Sequence, residues 1–290
     1  MKWGLRRLHD GILRKVFGIA VEHPRWRRIL RKDYARWQAA LQAAQTGPNV
    51  LIATSVGGLA AGTIVESMLA VALTLRGARV HILLCDRFLP ACLLSISTEF
   101  RPGVYAKYGP SRRFCYSCFK VSNTTYKALN VPVHYYRNLV SDDELESARH
   151  LSATIPLDDI GKYRLDGIAI GEHALAGTLR FYSKGVLKDE PDAEAVSRRY
   201  LLASLLTAYA VRRLLKTEHF ESACFHHGIY VPQGITGEVA RQQNVRVVNW
   251  NPTYRKRCFI FSHGDTYHHT LLSESTTKWK DMPWSEEMEQ

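Results

Sequence analysis

Apolar positions are densest between Asn49 and Asp86, in the stretch NVLIATSVGGLAAGTIVESMLAVALTLRGARVHILLCD. A short apolar run, Val50 to Ala53, lies between a Gly-Pro turn and a pair of glycines, Gly57 and Gly58. Leu59 to Leu75 is almost wholly apolar, too long for a strand and long enough for a helix. Gly77 stops it, and Val80 to Leu84 gives a second strand-like run. Strand, Gly-containing turn, buried helix and strand define a βαβ unit with a right-handed crossover. Ligands of such sheets sit beyond the carboxyl ends of the strands. That rule points to Ser55, Gly57 and Gly58 after the first strand, and to Cys85 and Asp86 after the second.

The pattern downstream is less regular. Arg87 to Lys120 holds Pro90, Pro102, Gly103, Gly109 and Pro110 and reads as a long loop at the sheet's carboxyl edge. Val131 to Tyr136 predicts a third strand. Ser141 with Glu144 has the capping-box spacing and predicts a helix to about Leu151. Leu165 to Ile170 reads as a strand, followed by a helix from His173 to Tyr182. The longest helix runs from Pro191 to about Lys216. A second strand–helix–strand unit follows: Ser222 to Phe225, Ile235 to Gln243, and Val245 to Trp250. The sequence has no internal repeat and no low-complexity segment. These elements predict an α/β fold, a Rossmann-like parallel sheet with helices on both faces, occupying residues 47–272. A basic helical segment (1–46) precedes it, and a polar tail or linker (273–290) follows.

Charge changes this picture at one end only. The 290 residues carry a net charge of +12. Residues 1–40 hold eleven Lys and Arg against three carboxylates, two thirds of the excess. With Leu5, Leu8, Ile12 and Val16 at helical spacing, that segment is either a basic amphipathic helix lying on an anionic membrane or a solvated helix packed on the domain. No recognition motif accompanies its tryptophans and arginines, so nucleic acid is not an expected partner. Glu66 interrupts the apolar run and strands flank it, which predicts a buried crossover helix rather than a membrane span. Six cysteines are too few for a disulfide scaffold at this length, and no secretory signal opens the chain, so the expected compartment is the cytoplasm.

Several clusters carry candidate chemistry. SVGG lacks the GxGxxG spacing and no Walker lysine follows, so it is either a backbone cradle for an anion or sugar, or simply a tight turn. His226 and His227 end a predicted strand, and a histidine there suits a general base near neutral pH. His227 is preferred because it is nearer Gly228, where the chain turns away; neighbours on a strand point to opposite faces. Asp86 and Glu172 are the carboxylate alternatives. In YRKRCFIFSHGDTYHHT the basic triplet at Arg255 could neutralise a diphosphate, and His263 and Asp265, with His268, could bind hydroxyls or a metal; a solvated loop explains the triplet equally well. Cys115 and Cys118 form a CxxC, with Cys85 and Cys92 upstream. The four are either ligands of a structural zinc or unligated, partly buried thiols.

TSVGGLAAGTIVESMLAVALTLRGARVHILLCDRFLPAC, HHGIYVPQG and NPTYRKRCFIFSHGDTYHHTLLSE resemble the amino-terminal half of bacterial capsule and surface-polysaccharide glycosyltransferases of the GT-B architecture. The resemblance implies two Rossmann-like domains facing across a cleft, the first binding a glycan acceptor and the second a nucleotide-sugar donor. It implies cleft-lining roles for Gly57, Gly58, Glu66, Asp86, His227, Arg255, His263 and Asp265. No cofactor is required for that chemistry. The sequence ends at Gln290, where a second domain would be expected to begin, so a second domain or subunit is an expected partner. The implied location is the inner membrane face, bound peripherally. A non-catalytic scaffold subunit and a GT-B-like sugar-nucleotide epimerase are the alternative functions.

Overall fold

The computed structural model describes residues 23–253, 255, 258–266 and 269. The polar tail, most of the basic triplet, His268 and the first 22 residues of the basic segment lie outside them.

Six strands form one sheet: β1 (Asn49–Ser55), β2 (Arg79–Leu84), β3 (Val133–Tyr135), β4 (Ser222–His226), β5 (Arg246–Pro252) and β6 (Phe259–His263). Their order is β3-β2-β1-β4-β5-β6; the first five are parallel and β6 is antiparallel to β5. This is a Rossmann-like α/β arrangement. The strand order reverses between β1 and β4, the position where such sheets open a crevice.

The period of two along the strands separates two cores. Leu51, Ala53, Leu83, Phe225 and Val247 face one side. That side is covered by α6 (Asp142–Thr154), α7 (Ile170–Tyr182), α8 (Ala193–Thr217) and α9 (Gln233–Gln242). Ile52, Val80, Ile82 and Leu84 face the other, beneath α2 (Tyr34–Ala43), α3 (Ala60–Leu75) and α5 (Arg112–Lys127). Trp26, in the short α1 (Trp26–Ile29), and Trp37 belong to that second core. Trp37 also donates its indole N–H to Leu129 O at 3.0 Å. The described part of the basic segment is therefore anchored on the sheet.

Three elements differ from the sequence reading. Arg87 to Lys120 is not one irregular loop: it contains α4 (Pro102–Tyr108) and most of α5. Pro102 sits in the first turn of α4, and Ser111 caps α5 by accepting the Phe114 N–H, so those residues mark helix ends. Leu165 to Ile170 is not a strand. Asp166 (φ +50°) and Gly167 (φ +87°) turn the chain back so that Leu165 bridges Ile168, and α7 begins at Ile170. Helix α3 is where predicted, but it buries its small and polar side (Gly62, Thr63, Glu66, Ser67, Ala70, Thr74) while Met68 and Leu75 are exposed. Small residues allow a helix to approach the sheet closely, so burial here follows side-chain size more than apolarity.

Among the described residues no helix is long and apolar enough to cross a membrane. The predicted capping box at Ser141 and Glu144 is present.

Candidate binding cleft

The turn after β1 is closed rather than open. Ser55 (φ +54°) ends the strand in a left-handed conformation, fully buried, with its hydroxyl 2.9 Å from the Tyr136 hydroxyl. Helix α5 lies over the glycines that follow. A β-carbon on Gly57 would stand 1.8 Å from Ser122 Oγ, and the Gly58 N–H donates to Cys118 Sγ at 3.0 Å. Of the two readings of SVGG, the tight turn fits, because the space a cradle would need is filled by the protein's own helix.

Behind that turn, Glu66 occupies the gap where β1 and β4 part. The two strands pair from Val50 to Ile52 and no further. There the carboxyl group, 1% exposed, accepts from Trp250 Nε1 at 3.0 Å, from Thr54 Oγ1 and from the His226 main chain. Thr54 has one proton to give, so the bonded Tyr126 hydroxyl donates to Thr54 in turn. Burial outweighs these donors and raises the Glu66 pKa to about 7. Glu66 is a plug in the crevice and does not line a surface, contrary to its expected role.

His226 and His227 do not point to opposite faces. The pleat ends because His227 takes φ +38°, and the two ring centroids come within 4.3 Å. His226 rests on Trp250, and burial, followed by the charge of Arg180, lowers its pKa to about 4. His227 is buried, and its Nδ1 accepts the Ile229 N–H at 3.1 Å. A neutral ring then carries its proton on Nε2, a donor, which does not serve the base role expected of it. Asp86 is engaged by Arg137, whose main-chain N–H donates to Oδ1 at 3.3 Å and whose Nε lies 3.6 Å from Oδ2.

An open cleft of about 630 Å³ lies one strand further on, between α7 and the turn leaving β4. Helix α7 supplies Glu172, His173, Ala176, Leu179 and Arg180, with Ser183 and Lys184 after it. Gly228, Ile229 and Tyr230 form the opposite wall, and Thr266 and His269 complete it. Gly228 (φ +73°) passes so close to Asn249 that a β-carbon would lie 2.8 Å from its Nδ2. His173 Nδ1 is 2.6 Å from Ile229 O, and its Nε2 is 3.9 Å from Glu238 Oε1. The neighbouring His173 and Arg241 outweigh burial and lower the Glu238 pKa to about 2.

Of the residues singled out in the sequence, Glu172 and Gly228 share this cleft. Asp265 stands behind its rim, paired with Arg241 at 3.1 Å and with His269 at 3.0 Å. Arg255 is exposed beyond the end of β5. His263 is carried away from the carboxyl edge because β6 runs antiparallel, and it pairs in register with Val248 near the start of β5. Tyr230, His173 and Arg180 were not singled out. Glu172, Ala176, Arg180 and Ser183 recur at helical spacing, and that was the available signal.

Cys85, Cys92, Cys115 and Cys118, read as zinc ligands or as unligated thiols, form no disulfide, and among the described residues no three His, Cys, Asp or Glu side chains are placed to hold a metal ion. Cys118 turns inward to the Gly58 amide instead. Burial pushes the Cys85 thiol up to about 11 and Cys115 up to about 12.

The fold and cleft define a Rossmann-like domain with a ligand-sized opening beside its central strands. No known protein family matches the chain, and no curated protein matches it. Among solved structures, a cyclo(L-leucyl-L-phenylalanyl) synthase is similar at 12% identity, over 68% of this chain and 84% of that one, with a TM-score of 0.35. A superposition that loose supports no inference about activity.

Proposed function

We propose that this chain is a carbohydrate-active domain, a glycosyltransferase or its acceptor-binding half, that holds a glycan acceptor in the cleft between α7 and the β4 turn. The observation that carries the reading is the composition of that cleft. It joins a carboxylate (Glu172), hydrogen-bond donors (Arg180, Ser183, Lys184) and an aromatic ring (Tyr230) around about 630 Å³. Sugars offer hydroxyls to charged and polar groups and C–H faces to rings, so a wall of mixed character suits them. The resemblance of the flanking segments to surface-polysaccharide glycosyltransferases supports the same class.

In this reading Glu172, exposed at the first turn of α7, takes the proton from the acceptor hydroxyl. The oxygen forms its bond to the anomeric carbon of a nucleotide-sugar donor, and the nucleoside diphosphate leaves with the bonding pair. The donor is held by a second domain or subunit. This transfer requires no cofactor. The protein works at the inner face of the membrane, bound peripherally through the exposed cations of residues 25–36.

A panel of nucleotide sugars and neutral oligosaccharides, screened by saturation-transfer NMR against the full chain, tests this. Oligosaccharide binding that survives Glu172→Gln, together with loss of transfer in that variant when donor activity is supplied, is expected. Absence of any carbohydrate binding, or unimpaired transfer by Glu172→Gln, would overturn it.

A further inference from the structure

We infer that Arg180 makes one end of the cleft an oxyanion subsite, so that the bound sugar carries a phosphoryl or carboxylate group. The inference rests on the cleft being the ligand site and adds the charge of the ligand. Arg180 is half-buried at the C-terminal turn of α7, where the cleft meets the β4 turn. Its Nε donates to Leu93 O at 2.8 Å, and its guanidinium carbon stands 4.9 Å from the centre of the Tyr230 ring. One edge of the fork and one face of the plane are therefore fixed. The two terminal nitrogens make no hydrogen bond or ion pair among the described residues, and Arg180 is one of the residues that line the cleft.

The contrast with nearby cations is informative. Lys184 is paired with Glu190 at 3.2 Å, Arg241 with Glu238 and Asp265, and Arg212 with Asp166. Arg180 pairs with no carboxylate among the described residues, although it is less exposed than Lys184. A guanidinium held on a carbonyl and a ring, lining a cleft and with no carboxylate partner among the described residues, is pre-organised for a bidentate oxyanion. Its orientation is set by the fold before binding, so little side-chain freedom is lost when the anion arrives. The Leu93 carbonyl comes from the loop after β2 and Tyr230 from the loop after β4, so two separate segments converge on one side chain.

Phosphate and carboxylate share this chemistry, and the test separates them. Glucose 1-phosphate, methyl β-glucuronide and the neutral methyl β-glucoside would be titrated against the full chain by NMR. At least one charged sugar is expected to bind about tenfold more tightly than the neutral one, the usual worth of a charge-assisted pair. Arg180→Met should erase that preference, weakening the charged sugar by about tenfold more than the neutral one. Arg180→Lys keeps the charge without the fork, should lose most of the preference, and decides the matter if the Met variant fails to fold. Equal affinities for charged and neutral sugars in the parent protein, or a full preference in Arg180→Lys, would overturn the inference alone. If none of the three sugars binds, the carbohydrate reading of the cleft falls with it.

Discussion

Glu66→Gln should make this protein more stable at alkaline pH. The buried carboxyl group has an ordinary pKa of 4.5 in the unfolded chain and one of about 7 in the folded protein. A raised folded pKa means that stability is fully present below pH 4.5 and is lost as pH rises through 7. Each unit of difference is worth about 1.4 kcal/mol, so the ionised group costs the fold about 3 kcal/mol at pH 8 and less than about 1 kcal/mol at pH 5. Glutamine has the same shape, keeps an acceptor for Trp250 Nε1 and cannot ionise. Urea denaturation of both proteins between pH 5 and 8 would give the difference directly. Other titrating groups are common to both proteins and cancel. The variant should gain on the parent steadily with pH, reaching about 3 kcal/mol, or roughly 5–8 °C in Tm, at pH 8. A parent protein that stays more stable than the variant at every pH would show that the donors, rather than burial, dominate at Glu66, and would refute the reasoning.

Two further predictions rest on other parts of the structure. His81 on β2 is buried against His134 on β3 and Phe220, its Nδ1 2.9 Å from His134 Nε2, with Arg79 and Glu218 the nearest charges; burial, then the charges of His134 and Arg79, lowers its pKa to about 4. The stability it contributes above pH 6.5 is therefore lost as pH falls through 4, and His81→Phe should flatten the acid limb of the urea midpoint curve, a result that an unchanged limb would contradict. Arg25, Arg27, Arg28, Arg31, Lys32 and Arg36 are exposed beside Ile29 (53%) and Tyr34 (60%), so the full chain should co-sediment with phosphatidylserine vesicles and not with phosphatidylcholine ones, less so at high salt. Reversing Arg27, Arg28 and Arg31 to glutamate should weaken that binding severalfold, and equal sedimentation with both lipids would count against it.

The strand–helix–strand units were legible because each pairs a short apolar run with a glycine stop and a helix of sufficient length. What was not legible depended on distant partners. Nothing local tells that Thr63, Glu66 and Ser67, rather than Met68 and Leu75, face the sheet; that depends on how closely α3 can approach β1. The prolines and glycines between Arg87 and Lys120 suggest a loop by composition, whereas Pro102 and Gly109 in fact bound a helix. His227 could be placed at a strand end, but its tautomer is set by the Ile229 amide two residues on, a consequence of its left-handed φ. Asp86 fails as a cleft residue because Arg137, fifty-one positions away, reaches it first. Arg180 is the converse case: its significance lies in having no carboxylate partner among the described residues, and a missing partner cannot be read from a sequence.

The helix that covers Gly57 and Gly58 is also the crossover between β2 and β3. Helix α5 runs straight on, through a five-residue link, into β3, an edge strand of only three residues paired to β2 alone. Stopper and edge strand therefore form one lever with its fulcrum at the sheet's margin. Swinging α5 off the β1 turn would take Tyr126 away from Thr54 and pull on β3 through that link, so uncovering the turn disturbs two strands. The cheapest way to open it mechanically is to loosen the weakest strand in the sheet.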